Sequence, residues 1–231
     1  MIFRQLFDRD TCTYTYLLAD SVSRDAVIID PVREQFERDM QILGELNLQL
    51  RLILETHIHA DHVTGAALLR RETGAKVGVA AVAGAEGVDK PLVDGQVLDR
   101  GEIVIKVLAT PGHTNSCLSY FVGDRVFTGD ALFIRGCGRT DFQQGDSAKL
   151  FKSVREKLFA LPDDTFVYPG HDYKGQTVST IGEEKRYNPR LRLNHTIEDF
   201  ARIMSELKLD PPVRIKEAVP ANLKLGEGNP Q

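Results

Sequence analysis

The fold turns on one stretch, Thr56-His57-Ile58-His59-Ala60-Asp61-His62. Four groups able to bind a metal fall within six consecutive residues. The apolar run just before them, residues 50–54, reads as a strand. If the extended backbone continues past it, alternation puts His57 and His59 on one side. Asp61 and His62 then sit at the turn into a helix over residues 63–73, which Gly74 closes in the usual position after a helix. Imidazole and carboxylate together suit zinc, iron or manganese, whereas a hard cation such as calcium would call for oxygen ligands alone.

Three further segments repeat this placement. Thr110-Pro111-Gly112-His113-Thr114 follows a strand over 103–108, Phe127-Thr128-Gly129-Asp130 ends another, and Tyr168-Pro169-Gly170-His171-Asp172 ends a third. Each puts one ligand-type side chain just past an apolar strand, beside Gly or Thr. Glycine there lets the backbone approach a site closely. Taken singly, a strand histidine is an ordinary packed or surface residue, Asp130 a turn residue and Asp61 a helix cap. The recurrence of the pattern at four strand ends is what identifies a metal site.

Other strands are expected at 2–7, 14–18, 26–29, 76–80, 118–122, 125–127 and 166–168. Helices are expected at 34–46, where Phe36, Met40 and Leu43 recur at i, i+4 and i+7, and at 146–159, 180–187 and 197–207. This order predicts an α/β fold of two halves, each a sheet with helices outside, in a four-layer αββα arrangement. We expect a single domain over 1–231 with a short helical C-terminal extension, about 174–231, and fraying from Gly226 to Gln231.

The bulk properties exclude several classes. A 42% hydrophobic content supports a buried core, and a net charge of −4 offers no general attraction to nucleic acid. No apolar run approaches the ~20 residues that span a bilayer, so no membrane partner is expected. The start, Met1 to Asp8, lacks signal or transit character, and a cytoplasmic location is expected. Three widely spaced cysteines, Cys12, Cys117 and Cys137, do not make a disulfide framework.

The metal motifs, spread from Tyr14 to Tyr173, resemble the metallo-β-lactamase superfamily. The segment from Ile134 to Gly145 (Ile-Arg-Gly-Cys-Gly-Arg-Thr-Asp-Phe-Gln-Gln-Gly) resembles the persulfide dioxygenase branch. So do His171-Asp172-Tyr173, Val178-Ser179-Thr180, Asn188-Pro189-Arg190-Leu191 and Ala218-Val219-Pro220-Ala221-Asn222. The resemblance implies one Fe(II) per chain held by His57, His113 and Asp130, a two-histidine, one-carboxylate set with open positions for O₂. His59, Asp61, His62 and His171 would then lie outside the metal's own ligands, hydrogen-bonding them and orienting bound water. The implied substrates are glutathione persulfide and O₂, with glutathione and sulfite as products. No separate nucleophile is implied, and a homodimer is expected from dimeric members of the family.

Glutathione carries two carboxylates, and three residues are candidates to bind it. Arg139 follows Asp130 in the same loop and would either clamp a carboxylate or brace the loop through Asp141. Tyr173, two residues past His171, would offer a hydroxyl or else pack in the core. Thr114 is the third. Cys137 is read as a packing residue. Two alternatives remain. One is a dinuclear zinc thioester hydrolase of the glyoxalase II type, disfavoured because only 60 residues follow His171. The other is a non-catalytic binding module, disfavoured because every ligand type is present.

Overall fold

Val27-Ile28-Ile29 and Leu52-Ile53-Leu54 are apolar at consecutive positions, so both faces of these segments must be covered. The computed structural model, which describes residues 1–227, places them at the centre of a six-stranded sheet. Its strands are β1 (Ile2–Asp8), β2 (Thr13–Ala19), β3 (Asp25–Ile29), β4 (Gln49–Leu54), β5 (Lys76–Ala80) and β6 (Lys90–Leu92), in the order β1-β2-β3-β4-β5-β6. β1/β2 and β2/β3 run antiparallel and the remaining pairs parallel. A second six-stranded sheet holds β7 (Val97–Arg100), β8 (Ile103–Ala109), β9 (Leu118–Val122), β10 (Arg125–Gly129), β11 (Phe166–Pro169) and β12 (Ser179–Thr180), in the order β12-β11-β10-β9-β8-β7. Its one parallel pair among those with defined register is β10/β11. The parallel pairs matter for function, because their C-terminal ends carry His57, Asp130 and His171.

Six α-helices accompany the sheets among the described residues: α1 (Phe36–Glu45), α2 (Ala66–Thr73), α3 (Ser147–Ser153), α4 (Ile181–Tyr187), α5 (Ile197–Ser205) and α6 (Ile215–Asn222). Their ends follow the sequence. The Asp146 carboxylate accepts the Lys149 amide at the start of α3, and the Thr180 hydroxyl accepts the Glu183 amide at the start of α4. Thr196 and Asp199 form a reciprocal capping box on α5. Gly74 closes α2 at φ 71°, a left-handed position that costs glycine little. No helix among the described residues is long and apolar enough to cross a membrane.

The chain divides into two compact units. The first comprises residues 1–92, 98–104 and the stretch from Asp210; the second comprises 93–97 and 105–209. Each has its own core. Leu17, Ile28, Leu43, Ile53, Leu69 and Val77 lead the first, and Val126, Leu150, Val154, Leu158, Val167 and Phe200 the second.

Several expectations need correction. The helix expected from residue 63 begins at Ala66, because the three residues before it are held by the segment 31–33. The Val63 carbonyl accepts the Arg33 amide, Thr64 bridges to Val32, and the Gly65 amide donates to the Pro31 carbonyl. The helix expected over 146–159 changes to wider π-type winding at Val154–Leu158. Helix α6 was not expected, since Pro220 lies inside it and proline normally ends a helix. The C-terminal extension is not one piece: its part before residue 210 joins the second unit and the rest joins the first. Most of the stretch expected to fray lies outside the described residues, but Gly226 is held, its amide donating to the Ala221 carbonyl at 2.8 Å.

Candidate metal centre

In the first unit, β4 ends at Leu54 and the chain turns through the histidine motif. His57, His59 and His62 are all buried, with ring centroids 4.1 Å apart for His57/His59 and 4.3 Å for His59/His62. Their orientation is set by residues behind them. Asp30 sits just past β3 at φ 51°, and its carboxylate accepts both the Thr56 amide (2.7 Å) and the Thr56 hydroxyl (2.8 Å). That hydroxyl has given its proton to Asp30, so it accepts from His57 Nδ1 at 3.0 Å. The tautomer of His57 is thereby fixed with the lone pair on Nε2, the form a ligand needs.

His59 Nε2 lies 3.2 Å from Asp30 and 3.4 Å from Glu55. Burial alone would lower the His59 pKa, but the two carboxylates outweigh it and hold the pKa well above the usual value. Both His59 ring nitrogens are buried and neither makes a hydrogen bond of good geometry, although Nε2 keeps its ion-pair distance to the two carboxylates. The Asp61 Oδ2 accepts from His62 Nδ1 (2.8 Å) and from the Thr13 hydroxyl (3.2 Å). His62 Nε2 is likewise buried and unpartnered. Lone pairs left unmatched in a dry site are costly unless a cation or water meets them, and His62, whose Nδ1 proton goes to Asp61, presents such a lone pair on Nε2; His59 would do so only as the neutral ring. The residues of this unit therefore fit a metal.

In the second unit, β10 and β11 run parallel and end together. The Gly170 amide donates to the Gly129 carbonyl, and His171 Nδ1 donates to Asp130 Oδ1 at 2.9 Å. Gly129, at φ 50°, turns the chain so that Asp130 follows the strand end. A Cβ at Gly170 would lie 2.7 Å from Asp130 Oδ1, so only glycine fits beside the carboxylate. His113 comes from the turn after β8. A Cβ at Gly112 would lie 2.3 Å from the Leu150 backbone, so glycine also lets α3 close on this turn.

His113 Nδ1 donates to the Arg139 carbonyl at 2.7 Å, which leaves the lone pair on Nε2. That nitrogen stands 3.5 Å from Asp130 Oδ2. An imidazole lone pair facing a carboxylate oxygen is repulsive unless a positive charge lies with them, so this pair also fits a cation.

The three substrate candidates differ in placement. The Arg139 guanidinium makes a two-point pair with Asp141, at 2.6 and 2.7 Å, and stacks over Phe142. This is the brace weighed from the sequence, and the Arg139 backbone at the same time orients His113. Tyr173 is 69% exposed, which excludes a core role, and its ring stacks parallel to His171 at 6.1 Å. Thr114 is buried, its hydroxyl 3.2 Å from Cys117 Sγ and 3.3 Å from Ser116 Oγ. Cys137 is buried against Met204 and Arg190, and desolvation pushes its thiol up to about 11, so it is packing and not a nucleophile.

Sequence reasoning missed Asp30, Glu55 and Gly138. Asp30 ends an apolar strand just as the expected ligands do, and that signal was available. Glu55 directly precedes the motif. A Cβ at Gly138 would lie 2.8 Å from His113 Nδ1 and 2.9 Å from the Asp130 Cβ, a close approach that no spacing in the chain announces.

Known proteins share this fold. The model of the metallo-beta-lactamase superfamily matches residues 13–171. The persulfide dioxygenase ETHE1 of Bos taurus is 47% identical over all of this chain and 91% of its own length. The crystal structure of ETHE1 from Myxococcus xanthus superposes with a TM-score of 0.96 at 52% identity, covering 98% of this chain and 100% of that one. The hydroxyacylglutathione hydrolase GloC of Haemophilus influenzae is more distant, 36% identical over 73% of this chain and 88% of its own. The fold class is thus the four-layer αββα metallo-β-lactamase fold. By full-length identity and by its metal-binding residues, the chain belongs to the metallo-beta-lactamase superfamily and, within it, to the persulfide dioxygenases.

Proposed function

We propose that the chain oxidises glutathione persulfide with O₂ and water to glutathione and sulfite, at a single Fe(II) held by His57, His113 and Asp130. The observation that carries this reading is the meeting of His113 Nε2 and Asp130 Oδ2 at 3.5 Å, with the imidazole proton already given to the Arg139 carbonyl. His57 is prepared in the same way by Thr56 and Asp30. Ferrous iron held by these residues would supply a site able to take an anionic sulfur and O₂ and the redox capacity to pass electrons between them.

The residues of the chain do the rest. His171 donates to Asp130 Oδ1 and so orients the carboxylate. His59, Asp61 and His62 would stay outside the ligand set, a reading supported by the ion-pair distance of His59 Nε2 to Asp30 and Glu55 and by the hydrogen bonds of the Asp61 carboxylate to His62 and Thr13. Tyr173, exposed and stacked on His171, is the residue we assign to the glutathione moiety. Arg139 holds the loop through Asp141, and its guanidinium would reach a carboxylate of the substrate by sharing it from that pair. Thr114 would act by holding its own turn, given its contacts to Ser116 and Cys117. The dimeric members of the family support a homodimer, which light scattering would test.

The buried, unpartnered His59 Nδ1 and His62 Nε2 favour one competing reading, a second metal and thioester hydrolysis. Metal analysis of protein purified without chelator separates the two. One iron per chain, with O₂ consumed on addition of glutathione persulfide, is expected. Two zincs per chain with thioester cleavage and no O₂ uptake would overturn the proposal.

A further inference from the structure

Helix α6 ends at Asn222, which is buried although it belongs to no apolar face. Its side chain reaches the histidine motif 160 positions away in sequence. Nδ2 donates one proton to the His59 carbonyl at 2.9 Å and the other to the His62 carbonyl at 2.8 Å. Oδ1 accepts the Thr64 amide at 2.9 Å. These backbone groups lie in a buried turn outside helix and strand, where each needs a partner from elsewhere. One carboxamide supplies three, both donors and an acceptor. The opposite orientation of the amide would set Oδ1 against two carbonyl oxygens, so the assignment of its nitrogen and oxygen follows from the partners.

The platform that carries Asn222 is itself fixed. Leu225 is fully buried in the core of the first unit, and its carbonyl accepts the Ala67 amide at 3.0 Å. The Leu223 carbonyl accepts the Glu86 amide at 2.7 Å. Gly226, at φ 80°, packs so closely that a Cβ there would lie 2.3 Å from the Thr64 carbonyl oxygen. The clamped turn contains imidazole nitrogens that are buried without a hydrogen-bond partner, His59 Nδ1 and His62 Nε2 among them. The side chains of these histidines are held by Asp30 and Asp61, and their backbones by Asn222.

We propose that Asn222 is a positioning residue of the metal centre: through it, α6 holds the turn carrying His59, Asp61 and His62 in the conformation the metal requires. The proposal rests on the reading that this motif serves a metal, and holds whether the metal is one iron or two zincs. Asn222 touches neither metal nor substrate and acts only through the turn.

The test compares Asn222→Asp and Asn222→Ser with Leu225→Ala. Aspartate keeps the shape but sets a carboxylate against two carbonyls, serine keeps a single donor, and the leucine change loosens the same segment without touching the turn. Three quantities are read: melting temperature of the metal-free protein, Fe(II) affinity by chelator competition under anaerobic conditions, and the absorption spectrum with Co(II) in place of iron. Both Asn222 variants are expected to bind iron about 10-fold more weakly than the parent, the low end of the cost of disturbing the hydrogen-bonded surroundings of a metal site, with an altered Co(II) spectrum. Leu225→Ala is expected to lower the metal-free melting temperature while keeping parental affinity and spectrum. Parental affinity and spectrum in the Asn222 variants, or losses no larger than those of Leu225→Ala, would overturn the proposal. A further measurement needs no variant: metal binding should slow hydrogen exchange at the Thr64 amide, and unchanged exchange counts against the clamp. Should the parent bind two zincs and no iron, the dioxygenase assignment falls, and the same comparison made with zinc still decides the role of Asn222.

Discussion

Gly138 shows at the scale of one residue how tightly the second unit packs around its proposed ligands. Its amide donates to the Asp130 carbonyl at 2.8 Å, and an added Cβ would lie 2.6 Å from that same oxygen, 2.8 Å from His113 Nδ1 and 2.9 Å from the Asp130 Cβ. Gly138→Ala must therefore push His113 and Asp130, two of the proposed ligands, at once. Overpacking of this kind costs about 1–3 kcal/mol, and iron affinity should fall about tenfold or more, read by chelator competition against the parent. Asp130→Ala removes the carboxylate outright, and both bound iron and O₂ uptake with glutathione persulfide should be lost; surviving O₂ uptake would show that the metal is not the reaction centre. The two residues were not equally legible. Asp130 follows an apolar strand and a Thr-Gly pair, a local pattern that can be read in the chain. Gly138 matters because a loop eight positions later folds back onto that strand end, and close approach leaves no periodic trace. Asp30 lies between these cases: its place past β3 was readable, but its hold on Thr56 and His59 depends on the parallel pairing of β3 with β4.

Helix α1 carries the clearest consequence at the scale of an element. Phe36, Met40 and Leu43 recur as a helical stripe and pack on the core of the first unit, as the spacing predicts. Asp39 lies beside that stripe and is also buried, with Arg38 on Oδ1 and no hydrogen-bond partner on Oδ2. Burial raises its pKa to about 6, with Arg38 opposing only in part. The folded state therefore binds this proton more tightly than the unfolded chain. Stability from this group is fully present below pH 4, falls as pH rises toward 6, and is gone above it, a loss on the order of 3 kcal/mol. A carboxamide in place of the acid cannot ionise, so Asp39→Asn should gain stability relative to the parent between pH 4 and pH 7, measured by urea unfolding at each pH. A difference that does not change with pH would show that Asp39 is not buried as an acid. Elements with a periodic stripe or a capping residue were readable, as α1, α4 and α5 show. Helix α6 was not, because Pro220 hides it, and the start of α2 was not, because residues 63–65 are claimed by a distant segment.

For the whole molecule, the proposed ligands come from positions 57, 113 and 130, and each follows a different strand. The sequence disclosed the two sheets because their central strands are apolar runs of the right length, and the proposed ligands could be picked out because each follows such a run. It did not disclose how the C-terminal stretch is shared, since the division at residue 210 depends on where the later helices find cover. A metal bound by segments so far apart in the chain has no equivalent site in the unfolded state. Its binding free energy is therefore added to folding stability. With free Fe(II) at 100 times its dissociation constant, the gain is about 2.7 kcal/mol. For a chain of this size that corresponds to a rise of roughly 5–10 °C in melting temperature. Anaerobic calorimetry of iron-loaded and chelated protein should show this rise, and reloading should restore it. Asp130→Ala should melt at one temperature whether or not iron is added, because the carboxylate that opposes His113 is gone. A parent whose melting temperature ignores both chelation and reloading would mean that the histidines and Asp130 do not bind iron together, whatever the identity to known dioxygenases.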